Sequence, residues 1–303
     1  ALTRKVLLGM MTASVLYGGA FIHQAEAADA DVYAGKDADA SGKTVIVKED
    51  GSLETTSFSA EALTNLSTVL GNTGQDIKIY GGYAIGAYDV TGNKVRLNSS
   101  NLTNSNTIRF VYGGLSVNGI ADKNEIEINK GSYNVAGYKI IGGYSLAGDS
   151  ASFNQVTIND GTYDWDIKGG RVVKDGASAK HNKVLINGGT FNKSEILGAE
   201  TGKNGTADSN CVEINGGNFA GEEADESSMI FGAAGDFPVE NVSANNNSVV
   251  INGGTFDKYT IAAAFGSDCN NNRVIINNGE FSNVYIGTAS GGLEIVPGTN
   301  YLD

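Results

Sequence analysis

The sequence predicts an all-β fold, a right-handed parallel β-helix of about seven to eight rungs with an N-terminal cap that contains a short helix. Three observations predict it: a ten-residue motif that recurs seven times, apolar and polar residues that alternate within each copy, and 42 Gly against only 2 Pro. The copies return at intervals of 25 to 37 residues, which is typical of stacked repeats. They begin at Asn93, Asn124, Asn154, Asn182, Asn210, Asn247 and Asn272.

Residues 1–27 have the features of a secretory signal peptide. Arg4 and Lys5 precede a largely apolar, uncharged stretch over residues 6–22, and Ala25-Glu26-Ala27 offers small residues to a signal peptidase. A membrane anchor is the alternative, but the Gly, Ser and Thr within the stretch favour a cleaved signal. We therefore expect the chain to be exported.

Residues 28–76 are expected to cover the first open end of the β-helix, because an exposed sheet edge needs protection. The segments 44–47 and 53–57 flank Glu49-Asp50-Gly51 in the pattern of a hairpin. Ser59 is a suitable N-cap for a helix over Ala60–Leu70, and Gly71 follows the end of that helix. Its buried side is expected to consist of Leu63, Leu66, Val69 and Leu70.

Residues 77–290 hold the repeats. In the copy that starts at Asn182, Val184 and Ile186 alternate with polar neighbours, so one face of a strand should be buried. A second Asn ends that strand, a Gly-containing turn follows, and an aromatic residue returns to the core. We expect the Asn side chains to lie inward and to form hydrogen-bonded ladders along the stack of repeats. A propeller would need longer repeats, and a sandwich would not repeat in sequence.

A second apolar strand follows each motif at a variable distance and ends in two small residues. Clear instances are Ile79-Tyr80-Gly81-Gly82, Ile140-Ile141-Gly142-Gly143, Ile167-Lys168-Gly169-Gly170 and Ile196-Leu197-Gly198-Ala199. Residues 291–303 form only a weak C-terminal cap. Because the chain also starts with Ala, we expect it to be a fragment of a longer protein.

The chain is acidic, with 34 Asp and Glu against 21 Lys and Arg and a formal charge of −13. Such a surface repels phosphate backbones, so no nucleic-acid partner is expected. Cys211 and Cys269 could pair in an oxidising compartment. Strands two repeats apart lie about 10 Å apart, beyond the reach of a disulfide. Displacement of Cys269 on a loop keeps the alternative open.

The sequence identifies no catalytic, cofactor-binding or metal-binding residues. His181 precedes Asn182 in a loop, and no second His or nearby Cys completes a triad or a ligand set. Tyr163-Asp164-Trp165-Asp166 resembles a sugar platform or a glycosidase carboxylate pair, but local packing also explains it. The acidic residues Glu222-Glu223-Ala224-Asp225-Glu226, and Asp29, Asp31, Asp37 and Asp39, offer oxygens to Ca²⁺ in the irregular spacing of solvated loops.

The signal peptide, the N-x-[VI]-x-[IL]-N-x-G-x-[FY] copies and the Gly-Gly strand ends together resemble the passenger region of bacterial autotransporters, the pertactin-like adhesins of type V secretion. The resemblance covers residues 77–290. It implies a β-helix placed at the bacterial surface or released, after export through an outer-membrane barrel. The residues after 290 are too few for that barrel, so it would lie beyond this chain, or export would use another route.

On this basis we expect a non-enzymatic, adhesin-like scaffold whose loops bind host-surface or glycan ligands. The longest loop, 220–246, is the most distinctive. The alternative is a β-helical carbohydrate-active enzyme, a polysaccharide lyase or hydrolase. Such sites cluster Asp, Lys or Arg on one concave face. The outward positions of the motif strands show no such cluster: Lys94, Arg96, Glu125, Glu127, Gln155, Thr157 and Glu213.

Overall fold

The computed structural model describes residues 30–103, 106–133, 137–164, 166–222, 228–236, 241–287 and 291–295. These residues form one α-helix, α1 (Ala60–Leu70), a short 3-10 turn at Asp37–Asp39, and strands in three sheets. The expected signal peptide, Asp29, Trp165, residues 223–226 and most of the C-terminal segment lie outside the described residues.

The three sheets are numbered by size. Sheet 1 has eleven strands: β1 (Ala30–Lys36), β4 (Asp76–Ala84), β7 (Asn106–Ser116), β10 (Lys139–Ser145), β13 (Asp166–Val172), β16 (Glu195–Thr201), β19 (Met229–Phe231), β23 (Thr260–Ala262) and β26 (Tyr285–Gly287) in spatial order, with β6 (Asn101–Leu102) beside β7 and β20 (Ala234–Gly235) beside β16.

Sheet 2 has ten strands: β27 (Gly291–Ile295), β24 (Asn272–Ile276), β21 (Ser248–Ile251), β17 (Cys211–Ile214), β14 (Lys183–Ile186), β11 (Gln155–Ile158), β8 (Glu125–Ile128), β5 (Lys94–Leu97), β2 (Thr44–Val47) and β3 (Leu53–Glu54). Sheet 3 has six strands: β25 (Glu280–Ser282), β22 (Thr255–Asp257), β18 (Asn218–Ala220), β15 (Thr190–Asn192), β12 (Thr162–Asp164) and β9 (Ser132–Tyr133).

Within each sheet, neighbouring strands come from successive repeats and run parallel. Val156 of β11, for example, lies in register with Ile126 of β8 and Val184 of β14. Only β2 with β3 and β6 with β7 pair antiparallel among the described strands. The predictions of an all-β chain with parallel sheets, of the hairpin and of the helix are therefore confirmed.

Sheet 2 contains more parallel strands than the seven motif copies predict. The strands β2 and β27 also pair parallel with β5 and β24. Neither carries the first Asn of the motif, which is why the sequence placed them in the terminal caps. Likewise, β1 pairs parallel with β4. The segment 28–76 therefore contributes strands to the parallel sheets besides the helix and the hairpin.

The motif aromatics form one stack through the core. Phe219 lies between Phe191 and Phe256, with ring centroids 4.6 Å from each. The stack continues to Tyr163 and Tyr133 at one end and to Phe281 at the other. Every one of these six rings is buried. The predicted return of the aromatic residue to the core is confirmed.

The two Asn residues of the motif form separate ladders. In the inner ladder, the first Asn is buried and its amide donates to the Asn of the next repeat, as Asn93 Nδ2 does to Asn124 Oδ1 at 2.9 Å. In the outer ladder, the amide donates to the preceding repeat, as Asn129 Nδ2 does to Asn98 Oδ1 at 2.8 Å. The predicted ladders are confirmed. The expectation that the second Asn also lies inward is wrong, because its side chain is partly or fully exposed.

The helix α1 follows its sequence signals closely. Ser59 Oγ accepts a hydrogen bond from the Ala62 N–H at 3.2 Å, as an N-cap does. Ala62, Leu66 and Val69 are buried on sheet 1, but Leu63 is 42% exposed. Its predicted burial is wrong, because Ala62 rather than Leu63 lies toward the sheet. Within the described residues, no helix is long and apolar enough to cross a membrane.

Both cysteines are free thiols. Cys211 on β17 lies between Lys183 and Ser248 of the neighbouring strands, and burial raises the pKa of its thiol. Cys269 is buried among alanines that include Ala244 and Ala264, and burial raises the pKa of its thiol also.

Candidate functional site: a charged cluster on the bent face of sheet 1

The Gly-Gly pairs bend the strands of sheet 1. A Cβ atom added to Gly169 would lie 3.0 Å from Asn182 Cβ, and one added to Gly170 would lie 2.6 Å from Asn182 Oδ1. Both positions therefore point toward the same buried Asn. Consecutive residues of a regular strand point to opposite faces, so the strand must turn at this pair. Larger side chains would collide with the inner ladder.

The bend divides each strand into two limbs. Positions one and three of the strand lie before the Gly pair, and position six lies after it. We call the residues at positions one, three and six of the three central strands the bent face: Lys139, Ile141 and Tyr144 on β10, Asp166, Lys168 and Arg171 on β13, and Glu195, Leu197 and Glu200 on β16. The parallel register places them in three columns.

Lys168 is the centre of an ion-pair cluster on the bent face. Its side chain is only 3% exposed. Its Nζ lies 2.9 Å from Glu195 Oε1, 2.8 Å from Glu200 Oε2 and 3.8 Å from Asp166 Oδ2. One buried ammonium group therefore joins carboxylates from two adjacent strands and from both limbs of the bend.

Arg171 extends the cluster on the second limb. Its Nε lies 2.9 Å from Glu200 Oε2, and its Nη2 lies 3.6 Å from Asp236 Oδ2. Its guanidinium carbon lies 5.5 Å from the ring centroid of Tyr144, a cation–π distance. The Tyr144 ring in turn stacks on Tyr112 at 6.0 Å. The charged cluster therefore adjoins a column of tyrosines.

The cluster shifts the pKa values of its two glutamates in opposite directions. Burial raises the pKa of Glu195 to about 7, against the opposing effect of Lys168. Burial acts in the same direction on Glu200, but Arg171 and Lys168 together hold the pKa of that carboxyl well below its usual range. At neutral pH, the cluster therefore contains one carboxyl that is partly protonated and one that is ionised.

The residues singled out from the sequence are distributed over separate places. Asp166 belongs to the cluster, whereas Asp164 lies on sheet 3 and accepts a hydrogen bond from Asn192 Nδ2 at 3.1 Å. Burial raises the pKa of Asp164. The structure therefore assigns the two carboxylates of the Tyr163–Asp166 segment to different sheets and different partners.

The remaining acidic candidates make structural contacts. Asp31 accepts a hydrogen bond from the Tyr80 hydroxyl, and Asp37 Oδ1 accepts one from the Ile85 N–H. Asp39 pairs with Lys43, and Glu222 pairs with Lys193, each at 2.7 Å. In the described part of the chain, no group of three or more His, Cys, Asp or Glu side chains has a geometry that could hold a metal ion.

His181 occupies a turn position that recurs in all seven copies. The residue before the first Asn always has a positive φ, at 55° in His181 and 59° in Phe153. The two rings stack at 4.8 Å, and Phe153 is 54% exposed. His181 thus lies in a surface turn, beside an aromatic neighbour and away from the charged cluster.

Sequence reasoning missed the cluster because it searched the motif strands. The signal was present in the second strand of each repeat. Lys168 replaces an apolar residue directly before a Gly pair, where the neighbouring repeats have Ile141 and Leu197. Charged residues also recur three positions further on, at Arg171 and Glu200. Their convergence required the register between strands, which one sequence does not give.

Comparison of this chain with protein families, with curated proteins and with solved structures gives no match.

Proposed function

We propose that the chain is a right-handed parallel β-helix, exported and displayed at the bacterial surface or released from it. There it acts as a non-enzymatic, adhesin-like binding scaffold. The observation that carries this proposal is the in-register stacking of all seven motif copies in sheet 2, flanked by β2 and β27. Nine parallel strands at the usual spacing correspond to a rod of about 38 Å.

Three features of the rod suit a display scaffold. The two Asn ladders repeat the same contacts from copy to copy, and the aromatic stack joins the last six of the seven copies, so the stacked units support one another. The turns between sheets vary in length, and the motif strands of sheet 2 nevertheless stay in register. The net charge of −13 favours solubility and disfavours nucleic acid. The exterior therefore supports binding surfaces that differ from repeat to repeat.

A carbohydrate-active enzyme is the second candidate, and one observation favours it. Glu195 Oε1 and Glu200 Oε2 both lie within 2.9 Å of Lys168 Nζ, so these two oxygens are within about 6 Å of each other, comparable to the spacing in retaining glycosidases. Their pKa values are also moved apart. Against it, Glu200 is held by two cations and its side chain is only 9% exposed.

The test expresses the full chain in a Gram-negative host. The scaffold proposal expects cleavage after Ala27, seen by N-terminal sequencing, and binding of the exported chain to epithelial cells or immobilised glycans. It expects no new reducing ends or unsaturated products when the chain is incubated with pectin and host glycans. Retention of the chain in the cytoplasm would contradict export, and bond cleavage would replace the scaffold with the enzyme.

A further inference from the structure

We propose that the bent face of sheet 1 binds a neutral glycan chain, with its polar contacts centred on Glu195, which the buried Lys168 and Glu200 hold in place. This inference rests on the proposed function, because it assigns the ligand class and the place of binding to the scaffold. It also moves the binding surface from the loops, where the sequence placed it, to a sheet.

The first step is that the fold does not require this cluster. The neighbours of Lys168 in its column are Ile141 and Leu197, and both are fully buried apolar residues. If the charged partners were replaced together with it, an apolar residue at position 168 would continue that column. Burying an ammonium group with carboxylates is often no more stabilising than apolar packing. The presence of Lys168 in a column of apolar residues therefore indicates a role other than stability.

The second step is that the cluster keeps unused hydrogen-bonding atoms. Glu195 pairs with Lys168 through Oε1, and Glu200 Oε2 accepts a hydrogen bond from Lys168 Nζ. Arg171 Nε lies 2.9 Å from the same Glu200 oxygen as an ion pair, although its N–H is not in hydrogen-bond geometry. Within the described residues, neither Glu195 Oε2 nor Glu200 Oε1 has a hydrogen-bond partner. The Glu195 side chain is 24% exposed, so the cluster reaches solvent through Glu195 on the first limb.

The third step is the chemistry of the ligand. Four carboxylates, on Asp166, Glu195, Glu200 and Asp236, contact the two cations Lys168 and Arg171, and they still outnumber the cations when Lys139 of the same face is included. An anionic ligand such as a uronate is therefore disfavoured. A partly protonated Glu195 can both donate and accept, which matches a hydroxyl group that does both. Neutral sugars present such hydroxyls at every residue.

The flanks of the cluster suit the less polar faces of a sugar chain. Tyr144 adjoins the cluster on the preceding strand, and Met229 lies in register with Glu195 on the following strand. Both side chains are partly exposed. Aromatic and apolar side chains beside convergent polar groups are the usual composition of a ligand site. A glycan chain that lies across the parallel strands would contact Tyr144, Glu195 and Met229 in turn.

The experiment measures binding of the purified full chain to fluorescent hexasaccharides: cellohexaose and chitohexaose as neutral probes, and hexagalacturonate as the anionic probe. We expect at least one neutral probe to bind and hexagalacturonate to bind at least tenfold more weakly. Glu195→Leu should weaken binding of the neutral probe by about tenfold or more, because it removes the hydrogen bond that the probe makes with the Glu195 carboxyl, which pairs with Lys168. Glu195→Gln, which keeps a donor and an acceptor, should bind within about threefold of the unaltered chain.

The matched control is Glu213→Leu. Glu213 also pairs with a lysine of the neighbouring strand, Lys183 at 2.7 Å, and its side chain is 29% exposed, but it lies on sheet 2. Circular dichroism confirms that each variant is folded. The inference is overturned if neither neutral probe binds, if the anionic probe binds better, or if Glu195→Leu and Glu213→Leu weaken binding equally. Hydrolysis of a bound probe would support the glycan site and contradict the non-enzymatic function.

Discussion

Replacement of Asn182 by Ala should destabilise the chain far more than the same change at Asn187, at the other end of β14. Asn182 is buried, and its Nδ2 donates to Ala151 O at 2.9 Å and to Asn210 Oδ1 at 3.1 Å. Its Oδ1 accepts from the N–H and from Nδ2 of Asn154. Asn182→Ala therefore leaves the Asn154 N–H and the Ala151 carbonyl, both in the core, without partners among the described residues.

Each buried unsatisfied backbone group costs about 1–3 kcal/mol, so we expect Asn182→Ala to lower the free energy of unfolding by about 4 kcal/mol. Asn187 exchanges hydrogen bonds only with the amides of Asn159 and Asn215, and its side chain is exposed. Water replaces these contacts, so its loss should cost less than about 1 kcal/mol. Urea unfolding followed by circular dichroism compares the two variants. Costs that agree within about 1 kcal/mol would refute the division into a structural inner ladder and a peripheral outer one.

Three further predictions concern the core, the cluster and a strained turn. Phe219→Ala should lower the free energy of unfolding by about 3–5 kcal/mol, because both faces of the ring are stacked. Phe153→Gly should leave it unchanged or raise it by up to about 1 kcal/mol, because Gly relieves the positive φ. Thermal unfolding measures both variants, and the reverse order would contradict the burial assignments. Lys168→Met should lower the free energy of unfolding by about 3–5 kcal/mol near pH 8 and by less near pH 5, because the variant leaves the carboxylates of the cluster without their ammonium partner. A loss that does not depend on pH would argue against the cluster. The raised pKa of Glu195 means that the folded state holds its proton more tightly than the unfolded state, so its contribution is fully present below the ordinary Glu pKa and is lost as pH rises through about 7. The rise of the pKa from 4.5 to about 7 corresponds to a loss of about 3 kcal/mol. Glu195→Gln should remove that part of the pH profile of urea unfolding, and an unchanged profile would contradict the assignment.

The elements that the sequence predicted are those fixed by local pattern. Alternation around Val184 and Ile186 determined the buried face of a strand, and Ser59 and Gly71 marked the ends of α1. Each of these signals lies within a few residues of the structure it causes. The burial of Leu63 was misjudged because the helix meets sheet 1 through Ala62, and that contact depends on tertiary packing.

The candidate site could not be found in the same way. Lys168, Glu195 and Glu200 are separated by up to 32 residues and meet because parallel strands are stacked in one particular register. The bend at Gly169 and Gly170 then brings the two limbs together. The register between strands joined by a turn of variable length is set by core packing and by the Asn ladders. A single sequence predicts that such ladders exist but does not show which residues of two strands lie opposite each other.

The stacking of repeats is tested most directly by distances between spin labels on sheet 2. The outward residues Lys94, Glu125, Gln155, Lys183, Cys211, Ser248 and Arg273 follow one another in register. With Cys211 and Cys269 replaced by Ser, labels at Lys94 and Ser248 should lie about 24 Å apart, and labels at Lys94 and Arg273 about 29 Å apart. Distances that rise by about 4.8 Å per repeat support a β-helix, whereas distances that do not increase with repeat number would contradict it.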